Sequence, residues 1–396
     1  MSGALAGSQH PMIALLLALQ LAPRADGAIA VAPTAAACAS DLDCSLNGVC
    51  TAAGACVCDR PWKGPVCGVL GYKVTPASGR SLFPHNTSHN TWNGPILGPD
   101  AATGAYHLYA PYYGNYTGIK SLFRVDYTLH GVADRIEGPY TWLPHYDWTN
   151  INPAALAFPN RSSSDGVSSG GTNATVFTLW DGAVMRADTP GGPWSPIPGH
   201  GVGCGGNPAP AFDTRTGAFY CTNQHTLEIF TTPALGEAPW THLSDVNLTL
   251  ANGSNVPYAR YLPNVEDPFL WVDRRGSFHI INHRYVNTEY AHCGTSTVSA
   301  HVFSPDGLSW HIVEPAVEPY GHTVQYDDGT STTFATLERP NIHFDASGQM
   351  THINFAADLT TPDAGCNDGG RANKQRSCAE CKFYNHCGTT IVALDV

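Results

Sequence analysis

The chain has 396 residues, only 13 % of them charged, and a formal net charge of −12 with no Lys/Arg block. A nucleic-acid partner needs a basic footprint, so that class is excluded. Aromatics at 10 %, with 40 Gly and 30 Pro, describe a turn-rich, strand-leaning chain longer than one small module.

At the N-terminus "MIALLLALQLAP" (12–23) is followed by the small residues of "ADGAIAVA". An apolar run of about a dozen residues is too short to cross a bilayer comfortably. Together with the small residues it reads as a secretory signal over residues 1–30, cut near Gly27 to Ala30. Its leading segment lacks Lys and Arg, and a short membrane anchor is the alternative. No later stretch is long and apolar enough to span a membrane. Export agrees with the 13 Cys and with Asn-X-Ser/Thr acceptors at Asn86, Asn115, Asn160, Asn173, Asn247 and Asn252. The expectation is a secreted, extracellular glycoprotein.

Residues 34–68 contain "CASDLDCSLNGVCTAAGACVCDRPWKGPVC", with Cys38, Cys44, Cys50, Cys56, Cys58 and Cys67. So short a segment cannot build a core of its own, and its cysteines imply a disulfide framework whose pairing the spacing leaves open. The C-x-C step at Cys56 and Cys58, the Asn-Gly pair before Cys50, and Trp62 and Gly64 before Cys67 resemble an EGF-like module. That resemblance implies the pairs Cys38–Cys50, Cys44–Cys56 and Cys58–Cys67. The acidic and Asn pattern of the calcium-binding variant is missing from "VAPTAAACAS", so no calcium is expected. The module reads as a spacer or as a docking unit for a protein partner.

The remainder, 75–396, is built on a repeated phrase: a small polar residue, a Pro, an apolar strand, a Gly turn, and a strand rich in Tyr, Phe and His. It occurs from Asn93, Asn152, Asn207, Glu266 and Glu338, with Pro95, Pro153, Pro208, Pro268 and Pro340 at matching places. A Pro suits a strand start because it cannot donate to a ladder. A second phrase carries a Trp after a turn: "GPYTWLP", "GGPWSPI", "EAPWTHL" and "GLSWHIV". Four strands per copy and five copies predict an all-β fold, a five-bladed β-propeller preceded by the small disulfide-rich module. The first strands of propeller blades begin at the central axis, which gathers Asn93, Asn152, Asn207, Glu266, Asp267 and Glu338 at one mouth.

This layout resembles the five-bladed propeller glycoside hydrolases of family 43 and relatives, through "DPFLWVDRRGSFHIINH" and "RPNIHFDASGQMTHI" above all. The resemblance implies a glycosidase acting on an extracellular or wall polysaccharide. It also implies a base on the first blade, a pKa-tuning Asp and a general acid. Glu338 is the expected acid and Asp267 the expected modulator, with Glu266 beside it; successive strand residues point opposite ways, so one of these two need not face the axis. The base position is occupied by Asn93, which cannot accept a proton, and the nearest carboxylate, Asp100, falls in a turn. The alternative function is therefore an inactive carbohydrate-binding or matrix protein, and an Asn93→Asp change is expected to raise activity if the missing base is the only defect.

Arg339 and Arg260 suit sugar hydroxyls or an acidic sugar group through fork-shaped hydrogen bonds. Trp92 either stacks on a sugar ring or packs between blades. Among His107, His225, His279, His283 and His352, inner-strand histidines read mostly as core residues, and His283 is singled out for the pocket. Cys204 and Cys221 bracket a hairpin they can close. Cys293, Cys366, Cys378, Cys381 and Cys387 have no readable pairing; the spacing of "CAECKFYNHC" resembles zinc ligation, but an oxidising compartment favours disulfides. No metal and no cofactor is called for. The ligand expected is a carbohydrate.

Overall fold

The computed structural model describes residues 37–77, 90–113, 127–146, 154–159, 173–178, 184–197, 204–224, 226–235, 238–285, 297–334, 336–358 and 387–396. All belong to one compact unit, Ala36–Val396. Residues 1–30, expected as a signal, and Asn86, Asn115, Asn152, Pro153, Asn160, His225, Cys293, Cys366, Cys378 and Cys381 lie outside the described residues, as do the side chains of Asn173 and Cys387.

The fold is all-β and propeller-like. Sheet I holds Asn90–Thr91, Ile96–Leu97, Tyr106–Tyr113, Tyr127–Ala133 and Thr141–Tyr146. Sheet II holds Ala154–Pro159, Asn173–Thr178, Val184–Ala187 and Ser195–Pro196. Sheet III holds Ala209–Phe212, Phe219–Thr222, Glu228–Thr232 and Thr241–Asp245, and sheet IV Val265–Val272, Phe278–Tyr285, Thr297–Ser304 and His311–Ile312. Sheet V has three strands, Thr336–Phe344, Met350–Asp358 and Cys387–Ala393. The five four-stranded blades of the sequence reading are thereby corrected to four. The reason lies in the second phrase. Trp142, Trp194, Trp240 and Trp310 each sit in, or next to, the outermost strand of sheets I to IV, and sheet V has no such Trp phrase.

The first strands of sheets I to V pack side by side in chain order, and the last strand of sheet V meets Asn90–Thr91 of sheet I. Within sheets I, III, IV and V the turn after the first strand follows one rule. Asp100, Asp213, Asp273 and Asp345 each accept backbone N–H bonds from the turn through Oδ1, for example Ala102 N at 2.8 Å and Ser347 N at 2.8 Å. This is the Asx turn that Asp forms readily. It accounts for Asp100, which serves its turn.

Because sheets pack face to face, inner strands are buried on both sides, and "FHIINH" of sheet IV is buried throughout. Leu108, Ile280, Val302, Leu337, Ile353, Phe355 and Ile391 are fully buried, each contributing about 1.5–3 kcal/mol relative to exposure. Buried polar side chains in these strands need partners. His279 Nδ1 meets His301 Nε2 at 3.2 Å, and His107 Nδ1 meets His130 Nε2 at 2.9 Å.

The cysteine-rich segment forms two short hairpins, Gly48–Cys50 with Cys56–Cys58 and Trp62–Lys63 with Val69–Leu70. Its bridges are Cys38–Cys50, Cys44–Cys56 and Cys58–Cys67. Gly48 has no room for a side chain: a Cβ there would lie 2.6 Å from Val57 O and 2.8 Å from Cys67 Sγ. The segment shares its core with sheets IV and V. Trp62 stacks on His301 at 5.0 Å between ring centres, His301 on His279 at 5.4 Å, and His279 on Trp271 at 4.8 Å. Arg275, in the first turn of sheet IV, donates to Leu46 O and to Asp59 Oδ2, the latter at 2.7 Å. Gln349 donates to Arg60 O at 2.5 Å, and Leu70 N donates to Pro319 O at 2.7 Å.

Among the described residues no helix is long and apolar enough to cross a membrane.

Candidate active site

The inner ends of the first strands share a backbone signature. Asn93, Asn207, Asp267 and Arg339 all take left-handed φ, at 53°, 47°, 48° and 52°. The last three each precede the repeated Pro directly. For Asn and Asp this region is tolerated; for Arg it is uncommon and costs about 1–2 kcal/mol. Strand pairing slips at the same points, between Glu266 and Phe269 and between Glu338 and Asn341. Such bulges re-aim side chains. Glu266 and Glu338 are therefore equivalent, one residue ahead of Asp267 and Arg339. The bulge also removes the simple alternation expected of Glu266 and Asp267: ligating-type atoms of Glu266, Asp267 and His283 all lie within 4.8 Å of one another.

Asp267 is the hub. Its Oδ2 accepts from Arg339 Nε at 3.2 Å, and its Oδ1 accepts from Asn207 Nδ2 at 2.6 Å. Asn207 also donates to Gln224 Oε1. Asp267 is thus shared between a guanidinium and an amide, beside Glu266 and His283. Arg339 Nη1 reaches Trp92 O at 3.5 Å, and its backbone N–H donates to His283 Nδ1 at 3.3 Å. His283 Nε2 lies 3.9 Å from Glu338 Oε2, and its Nδ1 lies 3.9 Å from Asp267 Oδ2. Glu338 is 1 % exposed and His283 is fully buried; Glu266 is half-buried. Burial first, and the Asp267 charge second, push the Glu266 carboxyl up to about 7, with Arg339 opposing them.

Asn93 joins sheets V and I. Its Nδ2 donates to Arg339 O at 2.5 Å and to Asn354 O at 3.2 Å, and its Oδ1 accepts from Asn354 Nδ2 at 2.6 Å. Asn354 also donates to Gly94 O at 2.8 Å. A Cβ on Gly94 would collide with Tyr109 O. Asn93 is thus a buried clamp, and an Asp there would confront two carbonyl oxygens without a proton to offer. The clamp argues against the expectation that Asn93→Asp restores a base. Trp92 is 3 % exposed, which makes its ring a packing element. Arg260 is exposed on the one-turn helix Tyr258–Tyr261 and makes no hydrogen bond to this cluster among the described residues.

No family model matches the chain, and no curated protein matches it. Solved structures resemble it. A thermostable family-43 glycoside hydrolase aligns at a TM-score of 0.44 and 12 % identity, covering 78 % of this chain and 90 % of its own. An endo-arabinase from Bacteroides thetaiotaomicron aligns at 0.41 and 11 %, covering 82 % and 97 %. A GH43_1 enzyme from Xanthomonas citri, complexed with xylotriose, aligns at 0.43 and 11 %, covering 81 % and 93 %. The chemistry of the cluster is carried by its own residues.

Several residues of the cluster escape a reading of the sequence alone. Asn354 in "HINFA" and Gln224 in "TNQH" sit near other polar residues on or beside inner strands, and nothing local marks them. Tyr258 donates to Asn282 Oδ1 at 2.8 Å and braces the strand beside His283; nothing in its local sequence marks it. His107, His279 and His352 lie outside the cluster. The first two form the histidine pairs described above, and His352 Nε2 meets Glu137 Oε1 at 3.4 Å. Cys204 is joined to Cys221, tying the entry of sheet III to its second strand. Asn252 is exposed in a turn, and Asn247 is half-buried in a short hairpin.

Proposed function

We propose that the chain is a secreted, glycan-active protein whose site works as a glycoside hydrolase. The observation that carries this is the equivalent placement of Glu266 and Glu338, gathered with Asp267, Arg339 and His283 at the inner strand ends. Glycoside hydrolysis needs two carboxyl groups, one of them protonated. Glu266, half-buried and held near neutrality by burial and Asp267, suits the acid. Glu338 is then the second carboxylate, and Asp267 tunes Glu266 while fixing Arg339 for sugar hydroxyls. This exchanges the roles expected of the two glutamates and keeps Asp267 as modulator. The likeness to family 43, the EGF-like character of residues 34–68, glycosylation at exposed Asn252 and a protein partner for the module belong to the same reading.

A second reading, sugar binding without cleavage, is favoured by Asn93, whose amide is consumed by the clamp. The test is incubation of the purified chain with xylo-, arabino- and galacto-oligosaccharides, scoring affinity and new reducing ends. Cleavage that Glu266→Gln lowers about 100-fold or more, with binding kept, supports the hydrolase. Binding without cleavage supports the second reading. Neither binding nor cleavage overturns both.

A further inference from the structure

The second and third strands of sheets I and IV carry the same buried pair. His107 Nδ1 meets His130 Nε2 at 2.9 Å, and His279 Nδ1 meets His301 Nε2 at 3.2 Å. The pair belongs to the repeat; what differs is its cover. In sheet I, Tyr109 stacks on His130 at 4.5 Å between ring centres. In sheet IV the cover is the cysteine-rich module, whose Trp62 stacks on His301 at 5.0 Å, while Trp271 stacks on the same ring at 5.9 Å. His279 and His301 are 1 % and 4 % exposed. Two ring nitrogens in contact hold one proton between them, so two imidazolium rings would set donor against donor. His301 Nδ1 has no hydrogen-bond partner among the described residues. A proton placed there would create a buried charge with no acceptor, which is unfavourable. The indole faces attract a cation, but burial first, and His279 second, hold the His301 imidazole well below its ordinary range. Burial also lowers His279, with Asp273 Oδ2 at 3.7 Å opposing it. The charged groups facing the pair are Asp273 and Arg275 from the first turn of sheet IV and Asp59 from the module. Arg275 bridges the two carboxylates, at 3.2 Å and 2.7 Å. Sheet V contributes Phe344, packed against Trp271 at 6.5 Å.

We propose that the joint between the cysteine-rich module and sheet IV is released by acid, because His301 excludes a proton while Trp62 covers it and takes one up when the module lifts away. An exposed histidine titrates near 6.5, and the covered one lower, so the open form binds more protons below that pH. The joint therefore loosens as pH falls below 6.5 and is unaffected above it. One such histidine shifts the opening equilibrium by about tenfold per pH unit well below 6.5. The reporter is the Leu70 amide, which donates from the module to Pro319 O at 2.7 Å. Its hydrogen exchange in the full chain is followed by NMR from pH 7.5 to 5, each rate being divided by the intrinsic rate at that pH. In wild type, Leu70 protection should be flat down to about pH 6.5 and fall about tenfold or more by pH 5, with sheet III amides unchanged. Flat protection down to pH 5 overturns the proposal, and so does an equal fall in sheet III, which would mean global unfolding. His301→Gln keeps a donor toward His279 and has no titrating ring; His301→Phe keeps the stack. Each should remove the pH dependence at Leu70, and dependence that persists in both overturns the proposal. The wild-type ring supplies a readout that needs no variant. The His301 15N signals, assigned through contacts with the Trp62 ring, should show a neutral imidazole at pH 6, and an imidazolium there overturns the proposal.

Discussion

Asp267 and Arg339 hold each other across sheets IV and V with Oδ2 and Nε 3.2 Å apart, and both do so from left-handed backbone. For Arg339 that backbone is uncommon, and the pair is nearly buried. Removing one partner strands the other's charge, which typically costs 3–5 kcal/mol. Arg339→Ala and Asp267→Asn are each expected to lower unfolding free energy by about 3 kcal/mol in urea titrations, and the double variant by clearly less than their sum. Additive losses would mean the two side chains act separately.

Glu266 gives stability a distinctive pH dependence. Its folded-state range, about 7, lies above the ordinary value of 4.5, so between those limits the folded state binds more protons than the unfolded one. Stability should therefore fall as pH rises from 4.5 to 7 and be flat for this group above that, losing on the order of 1–3 kcal/mol. Urea titrations at several pH values should show the slope in wild type and its loss in Glu266→Gln. A slope that persists in the variant assigns it to another group.

Glu137 behaves in the opposite sense. The His352 hydrogen bond, the largest influence, holds its carboxyl down at about 2 against an ordinary 4.5. Its contribution is present above 4.5 and disappears as pH falls from there through about 2. Because the contact joins the turn between Tyr127–Ala133 and Thr141–Tyr146 of sheet I to sheet V, Glu137→Gln is expected to unfold at a higher pH in an acid titration followed by tryptophan fluorescence. An unchanged midpoint would show the contact to be energetically silent.

The stack from Trp62 through His301 and His279 to Trp271 makes the cysteine-rich module part of the larger core. Trp62→Ala should cost about 3–5 kcal/mol. Reduction of the module should likewise loosen sheets IV and V, with faster hydrogen exchange at Ile281 and Ile353. Exchange confined to residues 38–67 would restore the picture of an independent spacer.

Asn93→Asp is expected to destabilise by about 2–3 kcal/mol, since two buried carbonyls lose their donor, and to add no hydrolysis. A gain of cleavage would show that the clamp can open to serve as a base site.

Much of this was legible in the residues. The Pro-led phrases mark the inner strand ends, because a residue that cannot donate is tolerated only at such places. The four Trp phrases mark four outer strands, and counting them instead of the first-strand phrases gives the number of blades. Asn93, Asp267 and Glu338 were chosen for their place in the repeat and His283 for the family resemblance, and the structure brings them near one another at the inner strand ends. The strand bulges were invisible, because a slip in pairing depends on the partner strand and leaves no local pattern. That is why Glu266 and Asp267 could not both be assigned to the cluster, and why the clamp formed by Asn354, 261 positions from Asn93, carried no signal. Arg260 sits on a one-turn helix that interrupts the repeat before sheet IV.

The clamp also bears on how the protein is made. Asn93 and Thr91 find their partners at Asn354 and Thr389, so sheet I stays unsealed on that side until residue 389 has left the ribosome. Synthesis proceeds at about 5–20 residues per second, which leaves the Leu108 side of sheet I waiting for tens of seconds with an unpaired flank. Closure is thus a late step of biosynthesis, and a truncation near the C-terminus would harm the residues around Asn93 before it harmed its own neighbourhood.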